Sequence, residues 1–301
     1  SRQQDLTLGV IGLSPGNGHP YSWSAIFNGY APSVMATCPF PVIPEYLALR
    51  SFPEDAIEGA RVTHVWTQDP ATSDHVARAA FIPNVVSNME EMIGEVDAIL
   101  LARDDAGHHV AMARPFLEAG LPIFIDKPVA QTGEDLSALL KLQVYPGQIF
   151  SCSALRFAQS VALNNAHREA LGSISHVDAV TPKDWPKYGP HLIDPILENL
   201  GLHDSPVEVM GRRMGDTHVV TLEFSNPALS ATLTCLGSSG DGIAFRYFGT
   251  KGSVILDMRD TFEAFRASLQ AFMDTTQGKS HGTSPAELRA MVHILEMGAR
   301  T

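Results

Sequence analysis

A histidine and an aspartate three residues apart, His191 and Asp194, stand in the stretch YGPHLIDPILENLG, residues 188–201. Apolar residues recur around them at helical spacing and predict a helix that starts just behind the Gly-Pro pair: Ile193, Ile196, Leu197 and Leu200. Two polar side chains at a helix start are either a cap with a neighbour or half of a catalytic site. Because histidine titrates near neutral pH, His191 is a candidate general base.

The turn GLSPGNGHP follows the apolar run LTLGVI and is rich in glycine. A buried strand that leads through such a turn into a helix is typical of a dinucleotide site, because backbone N–H groups can face the pyrophosphate. Gly12 fits the first glycine of the G-x-G-x-x-G pattern, Ser14 stands at the second, and the loop continues through Gly16, Asn17 and Gly18. The match is imperfect, so a plain helix-breaking turn stays an alternative.

A lysine follows the apolar strand PIFID in the triplet Asp126-Lys127-Pro128. Ligands of open α/β sheets bind beyond the carboxyl ends of the strands, which makes Lys127 a candidate site residue. The end of the second strand, where an acidic residue usually binds the adenosine ribose, holds Thr67. The choice between NAD and NADP is therefore open.

Apolar runs alternate with helical patterns as far as residue 153, which predicts a Rossmann-type, doubly wound parallel sheet over residues 1–153. A helix is expected from about Trp23, and another over residues 108–120 with an interruption at Pro115. Five prolines between positions 32 and 53 predict an irregular flap or interface arm over residues 30–60.

The pattern changes after residue 153. Two alternating runs in 218–237 predict an antiparallel hairpin, and two more strands flank GTKG. Ser284 and Glu287 form a capping box for a last helix. The fold class is therefore α/β, with the parallel sheet followed by an α+β open-sheet domain, largely antiparallel, over residues 154–301.

Several motifs together resemble the Gfo/Idh/MocA family of NAD(P)-dependent oxidoreductases, the relatives of glucose-fructose oxidoreductase and inositol dehydrogenase. The family's Glu-Lys-Pro is similar to residues 126–128, its second-domain arginine to Arg156, its His-x-x-Asp to residues 191–194, and its Gly-Thr-x-Gly-Ser to residues 249–253. The resemblance implies a Rossmann domain with NAD or NADP, a second domain that holds a small-molecule substrate, and a dehydrogenase or reductase activity on a polyol, sugar or sugar derivative.

The resemblance also implies roles for single residues. Lys127 from the first domain and His191 from the second would meet across the domain cleft at the nicotinamide, where the histidine takes a hydroxyl proton and the lysine orients the oxygen. Lys187, where many relatives have an aspartate, and Tyr188 are their expected catalytic neighbours. The other implied cofactor contacts are Thr67, Arg103, His109 and Asp126; the implied substrate contacts are Arg156, Trp185 and Asp194.

Purely structural roles are also open for several of these residues. Arg156 could pair with a carboxylate, Asp194 could hold a ring or cap a helix, and aromatic residues more often lie in the core than in a pocket.

Two rival functions also remain. Lys187 in place of the aspartate favours a protein that senses the cofactor or a sugar without turnover, and His108 with His109 raises a metal-dependent hydrolase, although neighbouring histidines on a helix chelate poorly together. We expect no metal.

Composition narrows the possible partners. The chain has 301 residues and a net charge of −12, which argues against a nucleic-acid partner because no basic surplus meets the phosphates. No apolar run is long enough to cross a membrane, and the first residues lack a secretory pattern. Three widely spaced cysteines suit a reducing compartment, so we expect a cytoplasmic protein. The open sheet predicts a homo-oligomer, a dimer or tetramer.

Overall fold

The computed structural model describes residues 4–301, which form two compact units. The first unit takes in Ser1–Asp126, Ala138–Ser151 and Leu269–Gly282, and the second takes in Lys127–Ser137, Cys152–Ser268 and Thr283–Thr301. The expected boundary between residues 153 and 154 lies two residues from the main change of unit. Two segments depart from that simple division, because 127–137 packs with the second unit and 269–282 packs with the first.

The first unit is built on a six-stranded sheet in the order β3-β2-β1-β4-β5-β6, with every neighbouring pair parallel. The strands are β1 (Leu6–Ile11), β2 (Ala60–Trp66), β3 (Asn84–Val85), β4 (Ala98–Leu101), β5 (Ile123–Ile125) and β6 (Ile149–Phe150). All four residues of the central strand β4 are buried, as expected where helices cover both faces of a parallel sheet. The predicted Rossmann-type sheet is confirmed.

Five helices connect the first five strands: α1 (His19–Asn28), α2 (Pro32–Met35), α3 (Val42–Leu47), α4 (Pro70–Ala79) and α5 (His109–Glu118). α1 begins four residues before Trp23, because Pro20 suits the first turn of a helix, where its missing N–H has no partner to lose. α5 runs without a break through Pro115, so the predicted interruption is wrong. The fully buried Phe116 and Leu117 hold that part of the helix in the core.

The segment 30–60 is less irregular than its prolines suggest, since it contains the short helices α2 and α3. Pro32 opens α2, and Pro41 is the residue before α3. No continuous helix runs through 36–48, in agreement with the expectation that the prolines prevent a long helix or a central strand.

The second unit contains a six-stranded sheet in the order β12-β11-β7-β10-β9-β8. Its strands are β7 (Ile174–Thr181), β8 (Glu208–Met214), β9 (Thr217–Ser225), β10 (Ala228–Cys235), β11 (Ala244–Gly249) and β12 (Ser253–Asp257). Only β7 and β10 pair in parallel, so the sheet is largely antiparallel, as predicted. The expected hairpin is β9–β10, which turns at Asn226-Pro227.

Three helices lie wholly in the second unit: α7 (Asn165–Leu171), α8 (Trp185–Leu200) and α10 (Pro285–Gly298). Two more, α6 (Gly133–Leu142) and α9 (Thr261–Thr276), are divided between the units. α10 has the predicted capping box, in which Ser284 accepts from the N–H of Glu287. Among the described residues, none of the helices is both long and apolar enough to cross a membrane.

α8 carries the His-x-x-Asp motif and differs most from its prediction. It begins at Trp185 behind the capping residue Asp184, continues through Gly189-Pro190, and places His191 in its second turn. The Gly-Pro pair is therefore inside the helix rather than a break before it. An interior proline costs a helix about 3 kcal/mol, and the nearly complete burial of the apolar face of α8 offsets this cost.

Candidate functional site

Several backbone N–H groups of the glycine-rich loop after β1 have no hydrogen-bond acceptor within residues 4–301. The N–H groups of Ser14, Gly16 and Gly18 have no acceptor there, whereas those of Leu13 and Asn17 donate to Gln68 and Ser14. Gly16 has a φ of +76°, which a side chain rarely adopts. Alternate N–H groups without acceptors at the carboxyl end of a strand form a ready anion site, so the loop fits the pyrophosphate of a dinucleotide.

Ser14 occupies the place of the second glycine without blocking the loop. Its side chain is fully buried, and its hydroxyl donates to Oδ1 of Asp104 over 2.8 Å while accepting from the Asp104 N–H. The side chain is thus turned toward the residues after β4, which leaves its backbone N–H for a ligand.

Gly12 and Gly18 are required by close packing. A Cβ at Gly12 would overlap Pro20 of α1, and a Cβ at Gly18 would overlap Phe40 and Ile43. The second overlap shows that segment 30–60 packs directly on the glycine-rich loop. Glycine allows this close approach of backbone to neighbour.

The end of β2 offers an amide to the loop. Gln68 binds both backbone groups of Leu13, at 2.8 Å from its N and 2.6 Å from its O. The Thr67 hydroxyl donates to the carbonyl of Asp69, whose carboxylate caps α4 by accepting from the N–H of Ala71. The predicted cofactor residue Thr67 is therefore buried and engaged, while Gln68 is the residue in contact with the loop.

Arg103 follows β4 and joins three parts of this site. Its guanidinium forms two hydrogen bonds with the carboxylate of Asp105, at 3.1 and 2.6 Å, and donates to Gln68 and to the carbonyl of Gly12. Burial raises the pKa of Asp105, but Arg103 outweighs this and holds it below its usual value. His109, also expected near the cofactor, is fully buried with Nε2 at 2.6 Å from the carbonyl oxygen of Arg103.

Asp126 closes the other side of the loop. Its Oδ2 accepts from Nδ2 of Asn17 over 2.9 Å and lies 2.6 Å from Nδ1 of His19. The His19 ring stacks on Trp23, with centroids 4.9 Å apart. Trp23 itself packs on Phe124 of β5 and belongs to the core. Sequence reasoning missed His19, for which the motif offers no signal beyond a histidine at the start of α1.

The second unit brings Lys127 and His191 to the same tyrosine. The ammonium of Lys127 lies 5.2 Å from the centre of the Tyr188 ring and donates to the carbonyl of Lys187 over 2.6 Å. The His191 ring meets the Tyr188 ring edge-on, with centroids 5.3 Å apart. Both residues belong to the second unit, whereas the sequence analysis assigned Lys127 to the first domain.

Ser153 contacts this histidine and is itself bound by Asp194. Ser153 Oγ lies 2.6 Å from Nδ1 of His191, and the N–H of Ser153 donates to Oδ2 of Asp194 over 2.6 Å. One residue after β6 therefore binds both polar members of the His-x-x-Asp motif. Sequence reasoning missed Ser153, although it stands three residues before Arg156.

The buried Arg156 binds three carboxylates, of which Asp194 and Glu287 are buried and Glu198 is half-exposed. Its guanidinium binds Asp194 at 3.0 Å, Glu198 at 2.7 Å and Glu287 at 3.2 Å. Burial raises the pKa of Asp194, against the opposing effects of Arg156 and the Ser153 N–H. These contacts correspond to the alternative in which Arg156 pairs with carboxylates and Asp194 positions its neighbours. Both were also predicted as substrate residues, and nothing in these contacts supports that role.

Trp185, the third predicted substrate residue, is a core residue. Its side chain is 1% exposed, its Nε1 donates to the carbonyl of Leu295, and its ring stacks on His218. A side chain so enclosed has no surface left for a substrate. The metal alternative finds no support either: residues 4–301 contain no group of three or more His, Cys, Asp or Glu side chains placed to hold an ion.

A parallel Rossmann-type sheet whose first strand leads into a glycine-rich loop with unused backbone donors is the architecture of dinucleotide-binding proteins. Residues 45–153 match the Gfo/Idh/MocA oxidoreductase family, which is described by its NAD-binding Rossmann fold. No curated protein matches the chain.

Solved structures share the fold over nearly the whole chain. Myo-inositol 2-dehydrogenase from Lactobacillus plantarum is 16% identical with a TM-score of 0.72, covering 97% of this chain and 95% of that one. Scyllo-inositol dehydrogenase from Lactobacillus casei is 15% identical with a TM-score of 0.70, covering 98% and 96%. GenD2 from gentamicin A biosynthesis, in complex with NAD, is 16% identical with a TM-score of 0.72, covering 100% and 95%.

These comparisons confirm the resemblance and the fold class. The family match also confirms the general predictions of an oxidoreductase and of a nicotinamide cofactor, because the family is defined as NAD-binding oxidoreductases. The solved structures add the fold of the rest of the chain, which includes most of the second unit.

Proposed function

We propose that this protein transfers a hydride between NAD or NADP and a hydroxyl-bearing carbon of a polyol, sugar or sugar derivative. The observation that carries the proposal is the placement of Lys127 and His191 against one ring, that of Tyr188, with Ser153 bound to Nδ1 of the histidine. Alcohol oxidation needs a base that takes the hydroxyl proton, and a nearby cation stabilises the charge that develops on the oxygen. His191 and Lys127 supply these two groups.

His191 and Lys127 have separate tasks, which are to move the proton and to stabilise the developing charge. Oxidation of the alcohol breaks its O–H and C–H bonds and forms a carbonyl, and a nicotinamide held by the first unit would supply the hydride acceptor. His191 takes the hydroxyl proton on Nε2, because Nδ1 is engaged by Ser153. The Lys127 ammonium stabilises the negative charge that gathers on the oxygen as the proton leaves. In the reverse direction His191 returns the proton.

The cofactor has a fitting place on the first unit. The N–H groups of Ser14, Gly16 and Gly18 would bind its pyrophosphate, and Gln68 and Arg103 at the strand ends beside this loop would bind the adenosine portion. The inositol dehydrogenases and GenD2, which share the fold, support a polyol or sugar-like substrate for this chain as well.

The rival function is cofactor or sugar sensing without turnover. Lys187, at the position where many relatives have an aspartate, favours it. The Lys127–Tyr188–His191 arrangement argues for catalysis, because a sensor has no need of a positioned base and a positioned cation.

We also propose that the protein works in the cytoplasm as a homo-oligomer. All three cysteines are buried thiols, which suits a reducing compartment. The sheet of the second unit has one face packed on buried side chains, and its opposite face carries alternate residues of every strand. A second copy of the chain would cover that face.

The experiment that tests the function begins with cofactor binding. NAD(H) or NADP(H) should bind with micromolar to millimolar affinity by calorimetry, and a panel of polyols and sugars should then yield reduced cofactor with at least one member. Binding without turnover of any member would favour the sensing protein, and absence of binding would refute the proposal.

A further inference from the structure

Lysines are rare in this chain, and two of them contact the same tyrosine ring. Six of its 301 residues are lysines, and two of these, Lys127 and Lys183, place their ammonium groups within about 5 Å of the Tyr188 ring centre. The whole chain has a net charge of −12. Two ammonium groups at one ring of an acidic protein create a local positive charge that a neutral substrate does not require.

Lys183 makes the contact that sequence reasoning missed. Its ammonium donates to the hydroxyl oxygen of Tyr188 over 2.9 Å and lies 4.9 Å from the ring centre. It forms no ion pair within residues 4–301. Asp184, its neighbour, accepts instead from the N–H of Lys187, and Asp216 accepts from Ser238. The positive charge of Lys183 is therefore not neutralised by a protein carboxylate.

The backbone of Lys183 is held in an unusual conformation. Its φ is +69°, in the left-handed region, which costs a residue other than glycine about 1 kcal/mol or more. Two hydrogen bonds to Gly237 keep it there, with its N donating over 2.7 Å and its O accepting over 3.0 Å. The position of this exposed lysine is thus specified by the fold.

Lys183 and Tyr188 together leave donors for a ligand. Because Lys183 donates to the Tyr188 oxygen, the phenolic hydrogen must point elsewhere, and no residue within 4–301 accepts it. Two N–H groups of the ammonium are equally without an acceptor there. A phenolic O–H and an ammonium 2.9 Å apart can bind two oxygens of one anionic group.

We propose that the substrate is an anionic polyol or sugar, a sugar acid or a sugar phosphate, whose carboxylate or phosphate binds Lys183 and the Tyr188 hydroxyl. This inference rests on the proposed function, in which Lys127 and His191 act on a hydroxyl of the same molecule. Tyr188 contacts both groups, so it separates the reacting end of the substrate from the charged end. Lys183 selects the substrate and leaves the chemistry to the other pair.

The test compares matched acidic and neutral ligands. Calorimetry and initial rates are measured with gluconate against glucitol, galacturonate against galactose, and glucose 6-phosphate against glucose, using the full chain with and without NAD(H) or NADP(H). At least one acid should bind more tightly than its neutral partner by about 10-fold or more, the worth of a charge-assisted hydrogen bond. The two kinds of acid separate carboxylate from phosphate recognition.

Variants assign the preference to Lys183. Lys183→Met should abolish the preference by raising the Kd and KM of the acid alone, and Lys183→Arg should keep much of it. Lys251→Met removes the same charge from another exposed lysine of this unit and should leave the preference intact. Weak binding of every acid, equal binding within every pair, or a preference that survives Lys183→Met would overturn the proposal.

The two proposals fail in different ways. Turnover of a neutral polyol with no preference for acids keeps the oxidoreductase and removes the anionic substrate. Loss of cofactor binding removes the oxidoreductase, while the acid preference measured without cofactor still decides the role of Lys183.

Discussion

The hydroxyl of Ser153 lies 2.6 Å from Nδ1 of His191. Ser153 also accepts from the N–H of Leu155 and donates its own N–H to Asp194, so two hydrogen bonds besides that to the histidine fix its position. A hydrogen bond at one ring nitrogen decides which tautomer the ring adopts and how it is oriented. Ser153 is therefore a positioning residue for the proposed base.

Replacing Ser153 should lower turnover without unfolding the chain. Ser153→Ala should reduce kcat by about 10-fold, a part of the total of about 10²–10⁴ that a positioned acid–base group contributes. Ser153→Thr keeps the hydroxyl and should restore much of the rate, which a purely structural role would not predict. Ser160→Ala, which loses only a contact with Met258, is the control. Equal activity of the Ala and Thr variants at position 153 would contradict the assignment.

The proposed catalytic pair should behave as a unit. His191→Ala and Lys127→Met should each cut kcat by roughly 10²–10⁴ and leave cofactor affinity, measured by calorimetry, nearly unchanged. The double variant should lose less than the product of the two effects, because both residues act on one oxygen. Additive losses, or a normal rate for either single variant, would count against the mechanism.

Arg156 should matter for stability. Arg156→Met leaves the buried carboxylates of Asp194 and Glu287 without their cation, and loss of one partner of a buried ion pair typically costs about 3–5 kcal/mol. The free energy of unfolding is measured in urea. Arg289→Met, on the exposed side of α10, is the control and should change it by less than about 0.5 kcal/mol. Similar stabilities of the two variants would show that the cluster is not needed for folding.

Glu287 should make stability depend on pH in acid. Burial raises its pKa, but Arg156, the Ser284 N–H and His203 more than offset this and hold the pKa below the ordinary value of 4.5. A carboxyl with a lowered folded-state pKa contributes stability that is fully present above the unfolded value and is lost as pH falls through the folded value. The stability difference between the wild type and Glu287→Gln should therefore shrink below about pH 4.5. If the difference in free energy of unfolding between the wild type and Glu287→Gln stayed constant down to the acid transition, the prediction would be wrong.

Self-association should depend on the sheet face of the second unit. Thr232 lies on β10, on the face opposite its buried neighbours Ala231 and Leu233. Thr232→Arg places a bulky charge there and should convert a dimer or tetramer to a monomer, measured by light scattering at micromolar concentration. A wild-type monomer under these conditions would refute the oligomer, and an unchanged assembly in the variant would move the interface elsewhere.

The sequence by itself determined the parts that depend on local chemistry. The strand–glycine turn–helix order, the capping box of Ser284 and Glu287, and the hairpin around Asn226-Pro227 all follow from the period, turn and cap preferences of neighbouring residues. These features appear where they were expected, because tertiary contacts reinforce the local preference. Pro115 and Pro190 show where local preference fails to predict the structure. Both lie inside helices, because burial of those helices outweighs the cost of an interior proline.

Only the tertiary structure decided which distant side chains meet. Ser153 contacts His191 across 38 positions in the sequence, and Arg156 binds Glu287 across 131 positions. No local period encodes such pairs, because they depend on how strands and helices pack. The same packing buried Trp185 and left Lys183 exposed, so it reversed which of the two is available to a substrate.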